Sequence, residues 1–334
     1  MTADYILQIK NLIKYFPIYG GLIGKEIAKV HAVDDVSFSL AKGKTLGLVG
    51  ESGCGKSTLG RTILRLIEPT SGTIVFNGKD ITKLSQKELR YLRKEFQIVF
   101  QDPFASLNPR MSIREILSEP FEIHKLYTNK NERELKIISL LNEVGLNPEF
   151  IDRYPHEFSG GQRQRIGIAR AISLNPKIII CDEPVSALDV SIQSQILNLM
   201  MDLRDKYHLS YIFIAHDLSV IEHISDDVAV MYLGKIVEYT SSDNLYSKPL
   251  HPYTKALISS IPKHDIVEKR KRQVIQGDIP SPINPPSGCR FHTRCPFAKE
   301  ICSEKIPELK NMGTHSSPHF VSCHFTKELS DKTI

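Results

Sequence analysis

Residues 50–57 read GESGCGKS, a full match to G-x-x-x-x-G-K-[ST], set directly after the apolar run TLGLV at 45–49 and ahead of a helical pattern at 56–67. This junction constrains the fold more than any other feature, because a strand must deliver a glycine-rich loop straight into the N-terminus of a helix. Glycines let the backbone bend so that successive N–H groups point at phosphate oxygens, and the helix dipole adds to the attraction. Gly50, Ser52, Gly53, Cys54, Gly55, Lys56, Ser57 and Thr58 are therefore the expected phosphate-site residues. Lys56 is expected to reach the β- and γ-phosphates, and the Ser57 hydroxyl to ligate Mg²⁺. The Cys54 side chain stands where any small residue would serve, so no chemistry is expected of its thiol. A glycine turn that merely joins strand to helix accounts poorly for the complete string.

A second element must hold the metal and prepare water. IIICDE at 178–183 is an apolar strand ending in two acids. Asp182 is expected to hold Mg²⁺ through a bound water, and Glu183 to take the proton of the attacking water. Alone, two acids at a strand end are as well explained by strand termination; beside the phosphate loop they read as chemistry. FSGGQRQR at 158–165 then places Ser159, Gly160 and Gly161 just ahead of another helix, a second anion cradle. One nucleotide needs one cradle, so the second is expected to cap a nucleotide bound by another subunit.

The rest of the chain supplies an α/β framework. Residues 5–10, 36–40, 45–49, 73–76 and 97–100 predict strands, and 131–144, 161–174 and 191–207 predict helices beside 56–67. The uninterrupted apolar runs at 178–181 and 211–215 suit parallel strands buried on both faces. The stretch 17–30 holds three glycines and little periodicity, so it predicts a loop. The 334 residues suffice for about two domains. Forty-three Lys and Arg against 38 Asp and Glu give +5, too mild and too spread for a polybasic nucleic-acid tail. No apolar run approaches the ~18 residues of a membrane helix, and the start lacks the layout of a secretory signal. A cytosolic chain is expected, with any membrane role carried by a partner. From Pro249 the texture changes: 263–272 is highly charged and 279–286 holds four prolines, which predicts an extended linker and a boundary near residue 250. No internal repeat is evident.

GESGCGKS, FSGGQ and IIICDE, in this order and spacing, resemble the ATP-binding subunit of an ABC transporter over about residues 5–250. The resemblance implies an α/β fold, the ABC-type P-loop ATPase domain, with a parallel core sheet, an antiparallel β subdomain and a helical subdomain. A small cysteine-rich C-terminal region follows it. The implied ligands are ATP and Mg²⁺. Gln101 in IVFQDP resembles the Q-loop glutamine that touches Mg²⁺ and senses the membrane subunit. Ser159, Gly160, Gly161 and Gln162 fall in the signature, and Asp189 ends a D-loop, residues 186–189, that runs across the dimer interface. His216, after YIFIA, resembles the switch histidine on the γ-phosphate. Phe16 falls where the family places an adenine-stacking aromatic, with Tyr15 a neighbouring candidate. Glu183, His216 and Gln101 are thus the implied catalytic set, and neither half of the site is degenerate.

QDPFASLNPRM at 101–111, RYPHEFSGGQRQR at 153–165 and DEPVSALDVSIQSQ at 182–195 resemble the subfamily that energises uptake of dipeptides, oligopeptides and, in some members, nickel. HPYTKAL at 251–257 resembles its C-terminal marker, and VSALDVSIQ is closer to the second of its two ATPase subunits. The implied assembly has a homologous ATPase bound head to tail, two membrane-spanning permease subunits and an extracytoplasmic peptide-binding protein, with this chain at the cytoplasmic face of the membrane. The implied division is an ATP-binding domain at 1–250 and an importer extension at 251–334. A soluble ABC ATPase acting on nucleic acid or ribosomes is the competing class. Such chains usually fuse two ATP domains or insert a long coiled coil, and neither is present, so no nucleic-acid partner is expected. A third class, a redox or metal module with an ATPase attached, rests on the cysteines alone.

Cys289, Cys295, Cys302 and Cys323 lie in the last 46 residues, spaced C-x5-C-x6-C-x20-C. A reducing compartment argues against disulfides. Structural zinc favours tight C-x2–4-C pairs, absent here, whereas four thiolates are the ligand set of a [4Fe–4S] cluster. GCRFHTRCPFAKEIC followed by SCHF resembles the cysteine-rich tail of many peptide-importer ATPases, which supports the cluster. Zinc remains the alternative, with His292 or His324 replacing a cysteine. Cys54 and Cys181 read as a small loop residue and a buried strand residue. Lying beyond the ATPase fold, the tail is expected to have metal ligation as its main cross-link, and ATP binding is expected not to depend on it.

Overall fold

A computed structural model describes residues 4–20, 24–261 and 275–329. The charged segment predicted at 263–272 lies outside the described residues. The strands are, in chain order, β1 Tyr5–Gly20, β2 Lys25–Ala41, β3 Thr45–Val49, β4 Ser71–Phe76, β5 Lys79–Asp80 and β6 Phe96–Val99. They continue as β7 Ile178–Asp182, β8 Ser210–Ile214, β9 Asp227–Tyr232, β10 Lys235–Ser241, β11 Lys310–Asn311 and β12 His319–Val321. The chain divides into two compact units. One comprises Met1–Ile6, Ala41–Lys44 and Lys83–Ile214; the other comprises Leu7–Leu40, Thr45–Thr82 and Ala215–Ile334.

In the first unit, β6, β7 and β8 form a parallel ladder in which Ile180 pairs with Ile98 on one side and Ile212 on the other. Every residue of β7 and β8 is buried, which is why their sequences carry apolar runs without alternation. Helices Ile113–Ile123, Lys130–Glu143, Gly160–Ile172 and Val190–Tyr207 belong to the same unit. Their starts follow local capping chemistry. Ser112 and Glu115 form a reciprocal capping box, and Asn129 accepts the N–H of Asn131.

In the second unit, an antiparallel-type sheet runs in the order β2-β1-β4-β5, with Leu7 opposite Phe76 and Ile9 opposite Ile74, all four buried. The loop predicted over 17–30 is instead the continuation of β1 to Gly20 and of β2 from Lys25. Tyr19 and Ile27 are 64% and 67% exposed there, so no buried face imposed the two-residue alternation that marks a strand. The first helix ends at Ile63 and not at 67. Arg65 takes a left-handed backbone (φ +53°), and its buried guanidinium donates to the Ile81 and Thr82 carbonyls and pairs with Glu68 at 2.7 Å.

The second sheet of this unit runs β11-β12-β10-β9-β3, parallel between β3 and β9 and antiparallel beyond. The C-terminal region therefore adds strands to the sheet that carries the phosphate loop. Glu238 on β10 is fully buried, and its carboxylate accepts the N–H groups of Leu250 and His251 at 2.7 and 2.9 Å and that of His319 Nε2 at 2.6 Å. His251 opens the helix Pro252–Ser259, its Nδ1 accepting the Tyr253 N–H at 3.1 Å. Burial pushes the His251 pKa down to about 4, so a neutral acceptor suits the position. The tail thus has cross-links that the sequence expectation, resting on metal ligation, did not include. Strand pairing and this buried carboxylate tie it down, and such pairing is invisible in a sequence short of apolar residues. Glu238→Ala should cost about 3–5 kcal/mol, because it strands two buried backbone N–H groups and a histidine. A urea titration of the full chain, compared with wild type, measures it. Among the described residues, no helix is long and apolar enough to cross a membrane.

Candidate active site

In the first unit, β7 delivers Asp182, 1% exposed, and the chain then turns at Glu183 with φ +47°. A left-handed backbone at a non-glycine residue costs of order 1–3 kcal/mol and persists only when its surroundings over-determine it. Here the Glu183 N–H donates to the Ile214 carbonyl at 3.0 Å, and its carbonyl accepts the Ser186 Oγ at 3.1 Å. The Glu183 carboxylate accepts a hydrogen bond from Gln101 Nε2 at 3.0 Å. Two of the three residues expected to catalyse are therefore joined, one after β6 and one after β7.

The signature residues open the helix Gly160–Ile172. Ser159 Oγ accepts the Gln162 N–H at 3.3 Å, and Gln162 Oε1 accepts the Ser159 N–H at 3.0 Å. This reciprocal box occupies the Gln162 side chain and leaves Gly160 and Gly161 as the first-turn N–H groups without an intrahelical acceptor. Gly161 is required by close packing, since a Cβ there would stand 2.5 Å from Ile192 Cγ2. Asp189 is exposed at the N-cap of Val190–Tyr207 and makes no capping bond. Gln193 shapes the preceding turn by donating to the Val185 and Leu188 carbonyls at 3.0 and 2.9 Å.

In the second unit, the loop after β3 folds around Lys56. Its Nζ, on a side chain 4% exposed, donates to the carbonyls of Gly50 and Glu51 at 2.7 and 3.1 Å. Gly55 is held at φ +107°, where a Cβ would lie 2.0 Å from the Ala32 carbonyl oxygen, so only glycine fits. Ser57 and Thr58 follow in the first turn of the helix Lys56–Ile63. Burial pushes the Cys54 thiol up, outweighing Lys56, which fits an inert packing residue. Gly53 takes φ +78° within the same loop. Tyr15 donates its hydroxyl to Asp34 and its ring centroid lies 4.2 Å from that of His31. Its neighbour Phe16, pointing to the other face of the strand, has Lys14 Nζ 4.7 Å from its ring centroid. His216 is exposed just after β8.

Sequence reasoning missed the residues that the C-terminal region contributes to this loop. Tyr253 Oη accepts the Glu51 N–H at 2.9 Å, and the Arg294 guanidinium makes a fork on the Glu51 carboxylate at 2.7 and 3.0 Å. Arg290 donates to Asp34 and to the Leu233 carbonyl. The tail thus reaches the phosphate loop, contrary to the expectation that it is separate. Only the two arginines flanking cysteines in GCRFHTRC hinted at it, since no spacing rule links residue 294 to residue 51.

Cys289, Cys295, Cys302 and Cys323 all line one pocket, together with Phe291 and Phe297. None of the six cysteines is in a disulfide. Burial, with the neighbouring thiols adding to it, pushes Cys289 up to about 12 and Cys295 to about 11. Among the described residues, no group of three or more His, Cys, Asp or Glu side chains is placed to hold a metal ion. Each of the two candidate replacement histidines donates one ring N–H to a carbonyl: His292 Nδ1 to Cys289 at 2.8 Å and His324 Nε2 to Lys305 at 2.9 Å.

Two family models match the chain: ABC transporter over residues 33–186, and oligopeptide/dipeptide transporter, C-terminal region, over 237–302. The oligopeptide transport ATP-binding protein AppF of Bacillus subtilis (strain 168) is 60% identical over 331 residues, covering 97% of this chain and 99% of that protein. Among solved structures, cbiO1 from Clostridium perfringens, part of the ABC transporter complex cbiONQ, matches with a TM-score of 0.62 and 28% identity, over 73% of this chain and 91% of that one. The ATP-binding cassette MJ0796, solved as a post-hydrolysis dimer with ADP and Pi, matches with a TM-score of 0.63 and 25% identity, over 71% of this chain and 98% of that one. With the phosphate loop, the signature and the buried histidine–tyrosine marker each in its structural context, this chain belongs to the ATP-hydrolysing, ATP-binding proteins of the ABC transporter family that carry the oligopeptide/dipeptide transporter C-terminal region.

Proposed function

We propose that this chain powers import of dipeptides or oligopeptides by closing on a second ATPase subunit when ATP binds and reopening when ATP is hydrolysed. The observation that carries the reading is the Gln101–Glu183 hydrogen bond at the end of β7, beside buried Asp182. It joins a residue able to accept a proton from water to one on a segment suited to sensing a partner. In this reading Lys56 holds the β- and γ-phosphates, Ser57, Gln101 and Asp182 hold Mg²⁺, which neutralises phosphate charge, and Glu183 accepts the proton of the attacking water. His216 contacts the γ-phosphate. Ser159 to Gln162 serve the partner's nucleotide, through the Gly160 and Gly161 N–H groups, and Asp189 lies at the dimer interface. Phe16 stacks on adenine, since Tyr15 is already engaged by Asp34 and His31.

The working complex has two permease subunits, a homologous ATPase bound head to tail and a peptide-binding protein, with this chain at the cytoplasmic face of the membrane. Residues 251–334 act as the importer extension to the ATP-binding domain at 1–250. The peptide-transporter C-terminal match and the peptide-transport name of AppF favour peptides over nickel. ATP turnover of the complete complex in liposomes tests this. Stimulation by peptide-loaded binding protein is expected; stimulation by nickel, with none by peptide, overturns the substrate class.

The four tail cysteines hold a [4Fe–4S] cluster in this proposal. The donor set suits it in number and kind, since four thiols line one largely apolar pocket. Protein purified without oxygen should contain about four iron and four sulfide per chain, and Cys295→Ser should lose them. Stoichiometric zinc in place of iron overturns the assignment.

A further inference from the structure

We infer that Arg294 and Tyr253, both from the C-terminal region, are positioning residues of the phosphate loop, acting on ATP binding through Glu51. The inference rests on loop 50–57 holding the nucleotide phosphates. Glu51 is the one acidic residue of that loop, and an unpaired carboxylate beside bound phosphates would repel them. Arg294 removes that repulsion. Its guanidinium grips both carboxylate oxygens, and the pair is 7% and 24% exposed, so solvent screens it less than a surface ion pair.

Tyr253 acts on the backbone of the same residue. Its hydroxyl takes up the Glu51 N–H, which fixes the orientation of that peptide and leaves the later N–H groups of the loop to face phosphate. Tyr253 is itself immobilised. Its ring centroid lies 4.8 Å from that of Tyr232 and 5.4 Å from that of Phe291, and it is fully buried. Phe291 stands between Arg290 and Arg294 in the segment bounded by Cys289 and Cys295. One short stretch of chain therefore carries two of the four pocket thiols, the aromatic wedge and the arginine on the loop, so the order of the tail and the shape of the phosphate site are physically joined.

The test is equilibrium binding of Mg-ATP to the full chain and its variants, in the absence of turnover. Arg294→Gln should weaken binding by about tenfold, and the double variant Glu51→Gln/Arg294→Gln should return to within about twofold of wild type, because the repelling charge is gone. A packing role of Arg294 that does not run through Glu51 would not be rescued by neutralising Glu51, and a urea titration of the same variants shows any loss of stability apart from loss of ATP affinity. Tyr253→Phe, which keeps the ring and loses the acceptor, should weaken binding by about threefold. Arg294→Gln binding as tightly as wild type, or a double variant as weak as Arg294→Gln, overturns the inference. Lys56→Ala in the same titration tests the phosphate loop itself, so a failure of that reading is seen separately.

Discussion

Glu183→Gln is expected to bind ATP at close to wild-type affinity while hydrolysing it about 10²–10⁴ times more slowly, a loss of about 3–5 kcal/mol of transition-state stabilisation. The structure explains why the effect should fall on chemistry alone. A glutamine at 183 keeps the side-chain length and still offers a carbonyl oxygen to Gln101 Nε2, so the bond at 3.0 Å has an acceptor in the variant. The backbone at φ +47° is held by the Ile214 carbonyl and Ser186, neither of which involves the carboxylate. What disappears is the capacity to take a proton from water. ATP-bound protein should then accumulate as a dimer, visible by size-exclusion chromatography with ATP present and lost on its removal. Turnover close to wild type would remove Glu183 from the role of base.

Lys56→Ala should act at the opposite step. A unit charge about 4 Å from phosphate at a protein-surface dielectric contributes up to about 4 kcal/mol, so ATP affinity should fall by up to about 10³-fold. The side chain is nearly buried and bonded to the Gly50 and Glu51 carbonyls, so alanine also removes the donor that gathers the loop. Titration with a fluorescent ATP analogue measures the loss. Undiminished affinity would contradict a phosphate-binding role for Lys56. The two variants together separate binding from hydrolysis, because Glu183→Gln should retain what Lys56→Ala loses.

The local chemistry of the site was legible in the chain itself. A phosphate loop is a contiguous string whose glycines and lysine are specified by backbone geometry and charge. The strand IIICD and the helix entry SGGQ are equally local, and their apolar runs and capping residues carry their own signals. The ends of β1 and β2 within 17–30 were not legible, because exposed strand ends leave no alternation in the sequence. Nor was the union of Gln101 with Glu183, which parallel pairing of β6 with β7 brings about across 82 residues. The tail shows the difference most fully. Its cysteine spacing suggested a metal site from sequence alone, yet only the tertiary structure decided that Glu238 anchors the tail and that Arg294 grips Glu51. Those contacts depend on burial and on pairing between distant segments: a desolvated carboxylate needs partners, and which residues become its partners is set by how the strands pack, not by their separation along the chain.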